Sequence, residues 1–113
     1  MMLCRVTIEG RITSSSGELT KDVADALATA MAEMHELKTK DPGITLDIPN
    51  GGAVVMSCCV EVEDAAEAVP PASTNIRTGL CAAGIATPNW PMPDDPRWQV
   101  EFVTFKTDVL VPA

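Results

Sequence analysis

Ile44-Thr45-Leu46-Asp47-Ile48-Pro49-Asn50-Gly51-Gly52-Ala53-Val54-Val55-Met56-Ser57-Cys58-Cys59-Val60-Glu61-Val62 is the stretch on which the fold turns. Ile44, Leu46 and Ile48 alternate with Thr45 and Asp47, and Val54, Met56, Cys58, Val60 and Val62 resume the same period of two. Successive side chains of a strand point to opposite faces, so each run presents one apolar face. Between the runs, Asn50-Gly51 takes positive φ at low cost, as a tight antiparallel connection demands. The reading is a β-hairpin in the middle of the chain.

Upstream of it, Leu19, Val23, Ala26, Leu27, Ala30, Met31, Met34 and Leu37 recur at spacings of three and four, the signature of an amphipathic helix. Ser15 with Glu18, or Thr20 with Asp22, supplies its start. Lys38 and Lys40 suit its negative end, and Asp41-Pro42-Gly43 is expected to stop it. Further upstream, Cys4, Val6, Ile8 and Ile12 alternate with Arg5, Thr7, Glu9 and Arg11, which predicts a strand from Leu3 to Ile12.

Downstream, Asp64 is placed to cap a short helical turn through Ala68, and Pro70-Pro71 is expected to interrupt it, so that the second helix begins near Ser73. Ile76, Leu80 and Ala83 mark its inner face and Gly84 its left-handed end. Thr87 to Arg97 reads as a proline-punctuated loop and Trp98 to Val111 as the last strand. The order β-α-β-β-α-β predicts a single domain over 1–113, a ferredoxin-like α+β sandwich with a four-stranded antiparallel sheet and both helices on one face.

The last strand breaks its own pattern. Trp98, Val100 and Phe102 share one phase, whereas Val103, Phe105, Val109 and Val111 occupy the other. Either a bulge shifts the register or both faces meet something apolar. On the second alternative Val55, Cys59, Val103 and Phe105 gather on the sheet's open face, beside the polar Arg5, Thr7, Glu9 and Arg11, and a second copy of the chain covers them. Homodimerisation is expected on that basis.

Composition limits the chemistry. The 113 residues carry 16 Asp and Glu against 8 Lys and Arg, a formal charge of -8, which opposes nucleic-acid binding through phosphate neutralisation. Gly79, Gly84, Pro88, Pro91 and Pro93 interrupt the uncharged stretch from Thr78 to Pro93, so no membrane span is expected. No basic region and apolar run opens the chain, which reads as cytoplasmic. Cys4, Cys58, Cys59 and Cys81 form no C-x-x-C pair, and Cys58 and Cys59 should point to opposite faces of their strand. They read as small core residues, with a redox role for the Cys58-Cys59 pair as the alternative.

His35 is the single histidine. Without a positioned nucleophile or acid it reads as a surface helix residue and not as a general base. Asn50-Gly51-Gly52 lacks a following Lys-Ser or Lys-Thr and precedes a strand, so it is a turn and not a phosphate cradle. Asp41, Asp47 and Asn50 lack the spacing of a calcium loop, and Glu61, Glu63, Asp64 and Glu67 read as a solvated acidic edge. No catalytic residue, metal or cofactor is expected. The segment that stands out is Ala86-Thr87-Pro88-Asn89-Trp90-Pro91-Met92-Pro93-Asp94-Asp95-Pro96-Arg97-Trp98, whose prolines pre-order a loop carrying large side chains. Trp90, Met92, Asp94 and Asp95 on this loop, with Val103 and Phe105 on the sheet, are the candidate protein-contact residues. The competing reading has Trp90 folding back to close the core.

Val60-Glu61-Val62-Glu63-Asp64-Ala65-Ala66-Glu67-Ala68 and Ala82-Ala83-Gly84-Ile85-Ala86-Thr87-Pro88-Asn89-Trp90 together resemble small uncharacterised proteins of actinobacteria and their bacteriophages. The resemblance covers about the C-terminal half and carries no family chemistry. It implies at most an accessory protein that binds another protein, such as a phage product acting on a host target. The expectation is therefore a non-enzymatic, homodimeric interaction module. The alternative is a small-molecule-binding or enzymatic ferredoxin-like dimer with its site between sheet and helices.

Overall fold

The computed structural model describes residues 1–14, 22–47, 52–93 and 96–112. Its elements run β1 (Met2–Ser14), α1 (Asp22–Glu36), β2 (Lys40–Asp47), β3 (Ala53–Val62), a single 3-10 turn (Ala65–Glu67), α2 (Val69–Ala82), β4 (Ile85–Ala86) and β5 (Trp98–Val111). The sheet order is β2-β3-β1-β5-β4. The central hairpin forms, with Ile44 opposite Met56 and Leu46 opposite Val54. The capping alternatives at Ser15 and Thr20 and the Asn50-Gly51 turn lie outside the described residues.

The expected four-stranded antiparallel ferredoxin-like sheet of βαββαβ order is corrected by β4. The sheet is a curled, mixed one of five strands, and its β4–β5 pair is parallel, with Ile85 opposite Trp98 and Ala86 opposite Gln99. The cause lies at Gly84, whose φ of 81° lets the chain leave α2 and place Ile85, fully buried, beside the sheet. Two parallel strands cannot be joined by a tight turn, because the chain must travel back along the strand first. The proline-rich segment between Ala86 and Trp98 is that return path.

Both helices close over the face formed by Cys4, Val6, Ile8 and Ile12 of β1 and by Val54, Met56, Cys58, Val60 and Val62 of β3. From α1 come Val23, Leu27, Ala30 and Met34, and from α2 come Ala72, Ile76 and Leu80. Each fully buried Ile or Leu contributes about 1.5–3 kcal/mol by leaving water. The helices meet where Gly79 lies against Met34 and Ala30, so closely that a Cβ there would fall 2.9 Å from the Ala30 carbonyl oxygen.

Three helix and strand boundaries differ from expectation. α1 stops at Glu36, before Asp41-Pro42-Gly43. Lys38 adopts a φ of 58°, and the Thr39 and Lys38 amides donate to the Met34 and His35 carbonyls, a left-handed helix stop made without glycine. Leu37 accordingly leaves the apolar stripe and is exposed. Asp41-Pro42-Gly43 instead forms an irregularity inside β2, where the pairing with β3 slips between Lys40 and Gly43. α2 begins at Val69 and not near Ser73, with Pro70 and Pro71 in its first turn. The amides missing there have no helical acceptor, so the prolines start the helix where interior ones would break it. Asp64 caps the preceding turn by accepting from the Ala66 amide at 3.0 Å.

β5 resolves the phase problem by bulging. Gly10 pairs with Phe102 and Glu9 with Thr104, leaving Val103 as the extra residue, and a second shift leaves Leu110 extra between Val109 and Val111. Opposed residues share a face, so Phe105, opposite Ile8, returns to the helix side together with Trp98, Val100 and Phe102. A Cβ on Gly10 would fall 2.5 Å from the Glu101 carbonyl oxygen. Gly10→Ala must therefore push β5 away from β1, and we expect a loss of about 1–3 kcal/mol in chemical denaturation.

Candidate interaction surface

The candidate contact residues fall on two separate surfaces. At one end of the molecule, Met92, 70% exposed, lines an open cavity of about 660 Å³ with Cys81, Gly84, Pro93, Arg97 and Trp98. It also borders a smaller one of about 200 Å³ with Thr13, Ser14 and Ala86. Trp90 is half-buried in the connecting loop and lines neither cavity. Asp94 and Asp95 lie outside the described residues. Arg97 ties the loop's end to α1 through Asp22 at 3.4 Å and stacks over the Trp98 ring at 4.7 Å, while Trp98 itself is buried in the core. These contacts serve the crossover into the parallel β4–β5 pair.

The second surface is β5 beyond Val100. Val103 is 60% exposed, Phe105 47% and Val109 48%, and Leu110 and Val111 are exposed too. The expected grouping of Val55, Cys59, Val103 and Phe105 on the open face is corrected by the bulge. Val55 and Val103 do line one shallow depression with Glu9 and Arg11, but Phe105 lies on the helix side. There its ring meets Phe102 edge-on at 5.9 Å, and Arg77 of α2 covers Phe102 at 4.8 Å from the ring centre. Phe102 is thus half-covered, and Phe105 and Val109 continue the same stripe past the helix. The missing signal was the bulge position: Gly10, a glycine inside a clean strand pattern, marks the place where a neighbouring backbone comes close.

Cys59 is only 5% exposed although it sits on the open face. It lies opposite Arg5 of β1 and Lys40 of β2, and both cations are engaged, Arg5 with Asp41 at 2.8 Å and Lys40 with Glu61. The Arg5 guanidinium is held charged first by its hydrogen bond to Cys59 and then by Asp41, and Lys40 holds the Glu61 carboxyl below its usual range. Cys58 faces the opposite way into the core, and its thiol donates to the Ala72 carbonyl at 3.7 Å. The pair is thus split between two environments, and all four cysteines are free thiols. His35 is exposed on the last turn of α1. Among the described residues, no group of three or more His, Cys, Asp or Glu side chains converges as a metal site requires.

No family model, no curated protein and no solved structure matches this chain.

Burial pushes the Cys58 thiol up to about 11, with the neighbouring Cys59 adding to the shift. The folded state therefore favours the protonated thiol, and the unfolded chain releases that proton first as pH rises. Stability is full below the unfolded value of 9.0 and falls between there and about 11. Denaturation across that window should show the decline, and Cys58→Val, close in volume and without a proton to lose, should flatten it relative to the parent.

Proposed function

We propose that the protein is a non-catalytic interaction module, and that β5 is its recognition element, binding an extended segment of another polypeptide by strand addition. One observation carries this reading. From Val100 onward β5 pairs on one side only, with β1, and among the described residues no strand pairs with its other edge, while its side chains include exposed Val103, Phe105, Val109, Leu110 and Val111. An edge strand offers unpaired amides and carbonyls, and natural sheets normally guard such edges. β2, at the far edge, is guarded by Pro42 and by its slip between Lys40 and Gly43. Between its two bulges β5 runs regularly from Thr104 to Val109 with no proline.

The layer between helices and sheet, where an enzymatic or ligand-binding alternative would need its site, is filled by side chains such as Ile8, Met34, Met56 and Ile76 at 0% exposure. Among the described residues, no helix is long and apolar enough to cross a membrane. A cytoplasmic setting is part of the proposal, since free thiols suit a reducing compartment.

A displayed library of random ten-residue peptides tests the reading. Enriched sequences should alternate apolar and polar residues, and their binding should weaken at least about tenfold in Phe105→Asp, whose exposed site makes the change small for stability. Enrichment of sequences without alternation, or binding indifferent to Phe105→Asp in a folded variant, would reject strand addition at β5.

A further inference from the structure

We infer that the segment received by β5 is the β5 strand of a second copy, paired antiparallel about a two-fold axis through Thr107. The inference rests on the strand-addition reading and adds the identity of the partner and the register. Phe105, Thr107 and Val109 lie on the helix side, opposite Ile8, Val6 and Cys4, while Lys106 and Asp108 lie on the open face, opposite Thr7 and Arg5. A two-fold axis perpendicular to the sheet keeps each residue on its own face, so only registers that pair like faces are allowed.

Among these, centring on Thr107 sets Lys106 opposite the partner's Asp108 and Asp108 opposite the partner's Lys106. The same register sets Phe105 against the partner's Val109, and the reverse. Centring instead on Lys106 or on Asp108 sets two like charges face to face, which opposes pairing. The favoured pairs all fall within Thr104–Val109, the regular stretch between the two bulges. The charges, together with the two bulges that registers centred on Phe105 or Val109 would run into, select one register, and that register also covers the exposed helix-side stripe on both copies. One sheet then runs through both molecules with all four helices on the same side.

Lys106 and Asp108 pair with each other only at 3.9 Å within one strand and both are exposed, so turning across the new edge exchanges that long contact for two across the seam. The contact is a single pair of strands, at the small end of stable interfaces, which predicts a weak dimer that dissociates on dilution.

Sedimentation velocity of the full chain over about a hundredfold range of concentration tests this. The parent should move from monomer to dimer. Asp108→Lys and Lys106→Asp should each weaken the dimer about tenfold, the double variant should regain it, and mixing the two single variants should give a heterodimer. Thr107→Cys should form a disulfide-linked dimer on mild oxidation, because Thr107 lies opposite its own copy, whereas Thr104→Cys should not. This cross-link keeps the test open if a charge variant fails to fold. A chain that stays monomeric throughout overturns the second copy as occupant, leaving strand addition to be judged by the peptide library. A dimer indifferent to all the charge changes, or one that cross-links equally at Thr104, overturns the register.

Discussion

At Gly10, where β5 bulges against β1, there is no room for a side chain. Gly10 lets the Glu101 carbonyl approach to a distance that any Cβ would occupy, and the strand pairing on which the sheet depends runs through that point. In the sheet order β1 lies between β3 and β5 and is hydrogen-bonded to both. Holding β5 this near, with Val103 pushed out as an extra residue beside the glycine, turns its distal half over. The outcome reaches well beyond the bulge: Phe102 and Phe105 come to share a face, and the sheet's longest strand carries its apolar residues out beyond the helices.

Strand length and an edge position together explain why those residues stay uncovered. At about 1.5 Å per residue the 15-residue and 14-residue helices each span about 21–23 Å. At about 3.3 Å per residue, the 14-residue β5 spans about 46 Å. Helices half as long as the strand cannot cover it throughout. α2 reaches β5 with Arg77 over Phe102. Phe105 and Val109 lie level with Ile8 and Cys4 of the almost equally long β1, which β3 and the helices seal, so it is the position of β5 beside the two-residue β4 that leaves the stripe open.

The proline-rich loop shows how a conspicuous sequence feature can serve the fold. Its tryptophans and prolines suggest a presented surface, yet Trp98 is core, Trp90 is half-buried and Arg97 is engaged by Asp22 and Trp98. What the segment accomplishes is the return that lets Ile85-Ala86 pair in parallel with Trp98-Gln99. A two-residue strand has no periodicity to detect, so β4 was invisible to pattern reading, and with it the mixed character of the sheet. Similarly, Pro70-Pro71 and Asp41-Pro42-Gly43 carry the same local signal, a break, but one begins a helix and the other kinks a strand. Local propensity does not distinguish those contexts.

What the sequence determined by itself were the elements with strong periods and their inward faces. Cys4, Val6, Ile8 and Ile12, the hairpin strands around Met56 and Val54, and the stripe from Val23 to Met34 were legible because burial imposes a spacing of two or of three and four. It also contained the conflict within Trp98–Val111, and hence the two alternatives of a bulge or a doubly apolar strand. Tertiary structure alone decided between them. A bulge depends on how close a neighbouring backbone comes, and Gly10 and Val103 are far apart in sequence. It likewise decided that α1 stops at Glu36, that Cys59 is shielded between two engaged cations, and that β5 has an open edge. Each of these depends on what another part of the chain places alongside, a quantity that no run of residues specifies on its own.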